Sequence, residues 1–235
     1  MPGPIGLLGG LEHYEPATPL DRLLLEETGT MSPRVVVLPV ASFRRQVPIA
    51  GELALSHWTR LGASVEVIMP TAGSDPRAVE AVKAADVIVL PGGVPNRLMQ
   101  ALGATFLWEE IVARWQAGAA VTGSSAGAMA LFKERIALYP PDPFRLIPGL
   151  GLLEGYVAGP HFDRFRVDRW FRPVLRHLNP IGILGLDEST GLVGRDGAMR
   201  VLGTGSVTVA RGDEIRAYPS GATIDLHLTR LVPAT

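Results

Sequence analysis

Ala119–Leu131, AAVTGSSAGAMAL, is where the chain changes from one kind of structure to another. Ala120-Val121-Thr122 is a short apolar run of the sort that ends a buried strand, and Ala126–Leu131 is rich in good helix formers. Ser125 falls in the turn between them, as the centre of Gly123-Ser124-Ser125-Ala126-Gly127. A sharp strand-turn-helix junction strains the backbone of its central residue and lifts the hydroxyl clear of the sheet. Gly123 and Gly127 carry no Cβ to clash where the turn closes on itself. The helix that follows aims unpaired N–H groups and its positive dipole end at whatever is bonded to Ser125, which suits an oxyanion. Such a segment also serves simply to pack a helix closely on a strand, so its surroundings have to decide.

Upstream, apolar runs alternate with amphipathic ones. Pro4–Leu8 reads as a first strand ended by Gly9-Gly10, where something must approach closely, and 11–33 as a loop with a short helix around Leu20–Glu27. Arg34–Pro39 is β-branched on both faces, as a buried parallel strand requires. A helical stripe over Pro48–Leu61 stops at Gly62; Val65–Met69, Arg77–Ala85 and Val87–Leu90 then read as strand, helix and strand. After Pro91-Gly92-Gly93, helical material over Asn96–Leu102 and Phe106–Ala117 leads to the strand before Ser125. This alternation predicts a three-layer α/β/α sandwich with a mostly parallel sheet, whose ligands sit at the carboxyl ends of the strands. Gly9-Gly10, Gly92-Gly93 and Ser125 should share that edge.

Downstream, proline-rich Lys133–Pro148 reads as an excursion over the edge. A β-like run leads to Val157–His161, Phe165–Leu178 reads as an amphipathic helix, and short segments from Ile181 to Tyr218 predict an antiparallel C-terminal extension of the main sheet.

With 235 residues, 47% of them apolar, the chain is expected to form one α/β domain over 1–235. A net charge of −1 without a basic stripe argues against a nucleic-acid partner. The absence of cysteine excludes disulfides, thiolate metal sites and a cysteine nucleophile. The five histidines lack short ligand spacing, so neither metal nor cofactor is expected. Met1–Ile5 has no basic segment and no long apolar run, which predicts a cytoplasmic protein without a membrane partner, as monomer or homodimer.

A serine nucleophile needs a base, an orienting acid and oxyanion donors. His13 falls in a loop, His57 on a helix, His177 near a helix end, and His227 between Leu226 and Leu228 in what reads as a terminal strand. His161, in a loop after Gly159-Pro160, is the histidine best presented to a neighbour, and so the leading base. Gly93, just after a buried strand, and Ala126 are the candidate oxyanion donors. Glu188, at a strand end, is favoured as the acid over Asp142, in the proline-rich excursion.

The set Pro91-Gly92-Gly93, Gly123-Ser124-Ser125-Ala126-Gly127-Ala128, His161-Phe162 and Asp187-Glu188-Ser189-Thr190 resembles the S51 serine peptidases, which include cyanophycinase and aspartyl dipeptidase (peptidase E). The likeness runs in order from about Val35 to Val209. It implies a class I glutamine amidotransferase-like fold, with Ser125 as nucleophile, His161 as general base and Glu188, or Asp142, as third member. It also implies hydrolysis of small acidic peptides, Asp-X or β-aspartyl, through an acyl-enzyme. Gly92, Asn96, Arg164, Arg166 and Arg169 are the substrate-binding residues expected with it; the arginines match the family spacing with one residue deleted after Phe162. The chain departs from the cyanophycinase pattern at Val94-Pro95 and Gly159-Pro160, each an Asp-Gln pair there. Two other readings carry their own expectations: an α/β-hydrolase-type esterase using Ser125, Asp187 and His227, and a non-catalytic amidotransferase-like binding protein.

Overall fold

The computed structural model describes residues 1–43, 45–137, 145–164, 178 and 181–228. Five short segments, Ile5–Leu8 (β1), Arg34–Val37 (β2), Ser64–Val67 (β3), Val87–Leu90 (β4) and Ala120–Ser124 (β5), lie parallel in the order β1-β5-β4-β2-β3, with β3 half-exposed at the end. The helices between them are Thr18–Glu27 (α1), Val47–Arg60 (α2), Pro76–Ala84 (α3), Pro95–Leu102 (α4) and Phe106–Gln116 (α5). Their starts follow from local chemistry. The Asp75 carboxylate accepts from the Arg77 N–H at 3.0 Å with Pro76 next to it, and the Thr105 hydroxyl accepts from the Trp108 N–H at 3.3 Å.

The period-two alternation of the strands sorts the helices between the two faces. Val35, Val37, Val87 and Val89 pack with α1 and α2 around the fully buried Trp58. Val36, Ile88, Leu90 and Val121 pack with α3, α4 and α5 on the other face. Burying each such side chain contributes on the order of 2 kcal/mol, so a strand must be apolar on both sides to hold the centre of the sheet.

Beyond β5 the chain forms a short helix, Ala126–Leu131 (α6), and a small ladder of Glu134–Ile136 (β6) with Leu146–Pro148 (β7) within the expected excursion. Tyr156–Pro160 (β8), Gly182–Leu186 (β9), Thr190–Arg195 (β10), Ala198–Gly203 (β11), Ser206–Arg211 (β12), Glu214–Pro219 (β13) and Thr223–Ile224 (β14) follow. The antiparallel extension of the main sheet consists of β10, β11 and β14, added beside β1. The remaining strands form a second sheet in the order β13-β12-β9-β8, in which β8 and β9 are parallel. Ala158, Leu184, Leu186 and Val207 of this second sheet share the apolar cluster that also holds α6. The terminal strand expected around His227 ends at Ile224, so His227 lies past it. The helix expected over Phe165–Leu178 lies outside the described residues except for Leu178. No helix among the described residues is long and apolar enough to cross a membrane.

Candidate active site

β5 carries Ser125 to the carboxyl edge of the main sheet, where its backbone takes φ 47° and ψ −107°. The Ser125 N–H donates to the Leu8 carbonyl at 2.9 Å, and its own carbonyl accepts from the Met129 N–H at 3.0 Å to start α6. A Cβ on Gly123 would fall 2.5 Å from the Gly127 carbonyl carbon, and one on Gly127 would run into the Leu90 carbonyl. Glycine is therefore needed at both places for the turn to close.

His161 and Glu188 come from the other sheet. Pro160 of β8 and Leu186 of β9 are paired neighbours, so the two residues leave adjacent parallel strands at one edge. Ser125 Oγ lies 2.9 Å from His161 Nε2, and His161 Nδ1 lies 2.8 Å from Glu188 Oε1. A carboxylate only accepts, so Nδ1–H donates to Glu188 and Nε2 is left to accept from the Ser125 hydroxyl. Glu188 is fixed in turn: its backbone N–H donates to Asp163 Oδ1 at 2.9 Å, the Thr190 hydroxyl donates to its carbonyl at 3.1 Å, and Arg164 Nη2 donates to Oε2 at 2.6 Å. Neighbouring Asp187 accepts from the Ser206 N–H at 2.8 Å; burial, with a smaller push from the Asp163 charge, raises its pKa.

The seam between the sheets is the turn after β1. The His161 N–H donates to the Gly9 carbonyl and the Ser189 N–H to the Gly10 carbonyl, both at 3.0 Å. Gly10, at φ 145°, faces the imidazole so closely that any side chain there would collide with the ring. Gly9-Gly10, Gly92-Gly93 and Ser125 thus share one edge, with the first pair seated against the histidine.

Of the other expected residues, Gly93 has φ 141° and an N–H with no acceptor among the described residues. Ala126 opens α6, where helical N–H groups have no partner within the helix. The Gly92 N–H is taken by Glu12 Oε1 at 2.7 Å, and Asn96 Oδ1 accepts from Arg135 Nη2 at 2.7 Å. Burial lowers the pKa of that arginine. Asp142, His177, Arg166 and Arg169 lie outside the described residues. The residues of the esterase reading are not brought together: His227 pairs with Asp196 at 3.2 Å and Asp225 at 3.3 Å, and Asp187 faces Ser206. His57 is buried against Asp21, its Nε2 2.8 Å from the carboxylate, with the His13 ring 5.6 Å away.

Sequence reasoning missed Glu12, whose Oε2 accepts from the Ser124 hydroxyl at 2.8 Å. The available signal was its place just past Gly9-Gly10, at the end of an edge-forming strand. Among the described residues no group of three or more histidine or acidic side chains is placed to hold a metal ion.

Known proteins resemble the chain over most of its length. The profile of "Peptidase family S51" matches residues 6–202. The cyanophycinase of Nostoc sp. is 30% identical over 222 residues, covering 89% of this chain and 74% of that protein. That of Synechococcus elongatus is 27% identical over 96% of this chain and 73% of its own length. The crystal structure of a peptidase from an acI-B1 Actinobacterium superposes with a TM-score of 0.84 at 27% identity, over 96% of this chain and 98% of its own. A putative peptidase E from Listeria monocytogenes, at 17% identity and a TM-score of 0.62 over 93% of this chain and 99% of its own, shares the fold.

Proposed function

The chain belongs to peptidase family S51, a serine-type hydrolase family, and on that footing we propose that it cleaves small acidic peptides, Asp-X or β-aspartyl, through an acyl-enzyme on Ser125. The observation that carries this reading is the unbroken chain from Ser125 Oγ through His161 to Glu188, at 2.9 and 2.8 Å. Ser125 Oγ attacks the scissile carbonyl carbon while His161 Nε2 takes its proton. The carbonyl oxygen becomes an oxyanion, received by the Gly93 and Ala126 N–H groups. The C–N bond then breaks, and the imidazolium gives its proton to the departing amine. Water repeats the sequence on the ester: its proton goes to His161, its oxygen to the carbonyl carbon, and Ser125 leaves with the proton returned. Glu188 holds the Nδ1–H tautomer and stabilises the imidazolium in each half.

Arg164 supports an acidic substrate. Its side chain is 65% exposed and engages Glu188 through Nη2, which leaves further N–H groups of the planar guanidinium to meet a carboxylate at the rim. The test is a panel of Asp-X dipeptides, β-aspartyl peptides and simple esters, assayed with wild type and Ser125→Ala. Hydrolysis of acidic peptides is expected in wild type, with a loss of about 10⁴- to 10⁶-fold in the variant and an unchanged thermal midpoint. Turnover retained by Ser125→Ala removes the assignment of the nucleophile, and cleavage of neutral peptides alone removes that of the substrate.

A further inference from the structure

The proposed reaction needs two turns in register: the one after β4, which carries Gly93, and the elbow after β5, which carries Ser125. The backbone does not provide this. The β4–β5 ladder ends at Leu90 and Gly123, and among the described residues no backbone hydrogen bond joins 91–94 to 124–126. Glu12 spans the gap. Its Oε1 accepts from the Gly92 N–H at 2.7 Å and its Oε2 from the Ser124 hydroxyl at 2.8 Å. An ionised carboxylate offers acceptors only, so the direction of both bonds is fixed, and bonds to a charged acceptor are shorter and stronger than neutral ones.

Two consequences follow for the chemistry. The Gly92 amide is occupied, so Gly93 becomes the amide of that turn left to face a reacting carbonyl. The two turns are also drawn into contact: a Cβ on Gly92 would fall 3.3 Å from the Ser125 Cβ and 2.9 Å from Glu12 Oε1. Glu12 is itself held firmly. The residues on both sides of it, Leu11 at φ 56° and His13 at φ 67°, are left-handed, and the buried His13 ring lodges beside His57 and its partner Asp21. Side chains seldom adopt that backbone unless the surroundings enforce it, so the carboxylate is aimed by its anchor.

We propose that Glu12 is a positioning residue, a carboxylate clamp that sets the Gly92-Gly93 turn against the elbow and so aligns the oxyanion donors with Ser125. The proposal rests on the reading of Ser125 as the acylated nucleophile. Its test uses a fluorophosphonate probe, whose reaction with a serine develops an anionic oxygen of its own and needs no knowledge of the natural substrate. Glu12→Ala is expected to lower the maximal rate of phosphonylation about 100-fold, the order of loss from a misplacement near 1 Å, with little change in the half-saturating probe concentration. Glu12→Gln keeps an acceptor for the Gly92 N–H and can donate to the Ser124 hydroxyl, so it is expected within about tenfold of wild type. Ser124→Ala removes one arm of the clamp without changing the core and is expected to fall between the two, which keeps the test open if Glu12→Ala fails to fold.

A maximal rate in Glu12→Ala, or in Ser124→Ala where the former does not fold, equal to that of wild type overturns the proposal. So does a loss that appears only in half-saturation, or one that Glu12→Gln does not relieve at an unchanged thermal midpoint. Labelling that persists in Ser125→Ala overturns the reading of the nucleophile instead, and the two failures are thereby told apart.

Discussion

Glu188 shows how a single side chain is made specific by what surrounds it. Its carboxylate is 13% exposed and receives His161 Nδ1–H on one oxygen and Arg164 on the other. Glu188→Gln keeps the size but can offer an N–H to Nδ1, which favours the imidazole tautomer that cannot take the Ser125 proton. On the proposed mechanism kcat should fall about 10³- to 10⁴-fold at an unchanged thermal midpoint, and a variant within tenfold of wild type would remove Glu188 from the proposed triad. The backbone carries a similar message. Six non-glycine described residues have positive φ, and Leu11, His13, Ser125, His161 and Ser189 all belong to the turns at this edge. Each costs on the order of 1–3 kcal/mol, which the packing around it must offset. The strain at Ser125 was legible from Gly123 and Gly127. That at Ser189 was not, because nothing local requires it; its N–H donates to the Gly10 carbonyl and its own carbonyl accepts from the Thr204 N–H, both in other segments.

At the scale of elements, the turn after β1 does what no strand does alone, since it meets β5, β8 and β10 at once. Its last residue, His13, is buried, and burial lowers its pKa from 6.5 to about 4; Glu12 opposes that shift and His57 adds to it. The unfolded chain therefore binds a proton between those values that the folded chain does not, and stability should fall as pH drops from about 6.5 to about 4, by up to about 3 kcal/mol. Asp21, whose pKa is raised by burial against the opposing effect of His57, acts in the other sense, costing stability as pH rises through its folded value. Denaturant unfolding of wild type and His13→Asn at pH 4.5 and 6.5 separates the two, since asparagine tolerates the left-handed backbone and does not titrate. The variant should lose the acid-side decline that wild type shows; an equal decline in both would assign the pH dependence elsewhere.

Across the whole molecule the site straddles two sheets, Ser125 on one and His161 with Glu188 on the other, and the apolar cluster containing α6 draws on both. We propose that 1–235 folds as one unit. Hydrogen exchange should then give the slowest amides of β5 and β9 the same opening free energy, whereas a distinctly lower value in β9 would mark the second sheet as a separate unit. The sequence by itself determined the parallel α/β layers, the elbow at Ser125 and the glycine pairs at the strand ends, because hydrophobic period, helix propensity and the steric demands of tight turns act over a few residues. It pointed to His161 and to Glu188 with Asp142 beside it, but as members of a list. Only the tertiary structure decided that β8 and β9 leave the main sheet for a second one, that their ends meet the elbow across Gly9-Gly10, and that Glu12 rather than a backbone ladder joins the two turns beside Ser125. The hydrogen bonds that join Glu12 to Ser124, Ser125 to His161, His161 to Glu188, and the Gly9-Gly10 pair to His161 and Ser189 link residues 27 to 179 positions apart, set by which apolar faces pack together, and no local pattern records them.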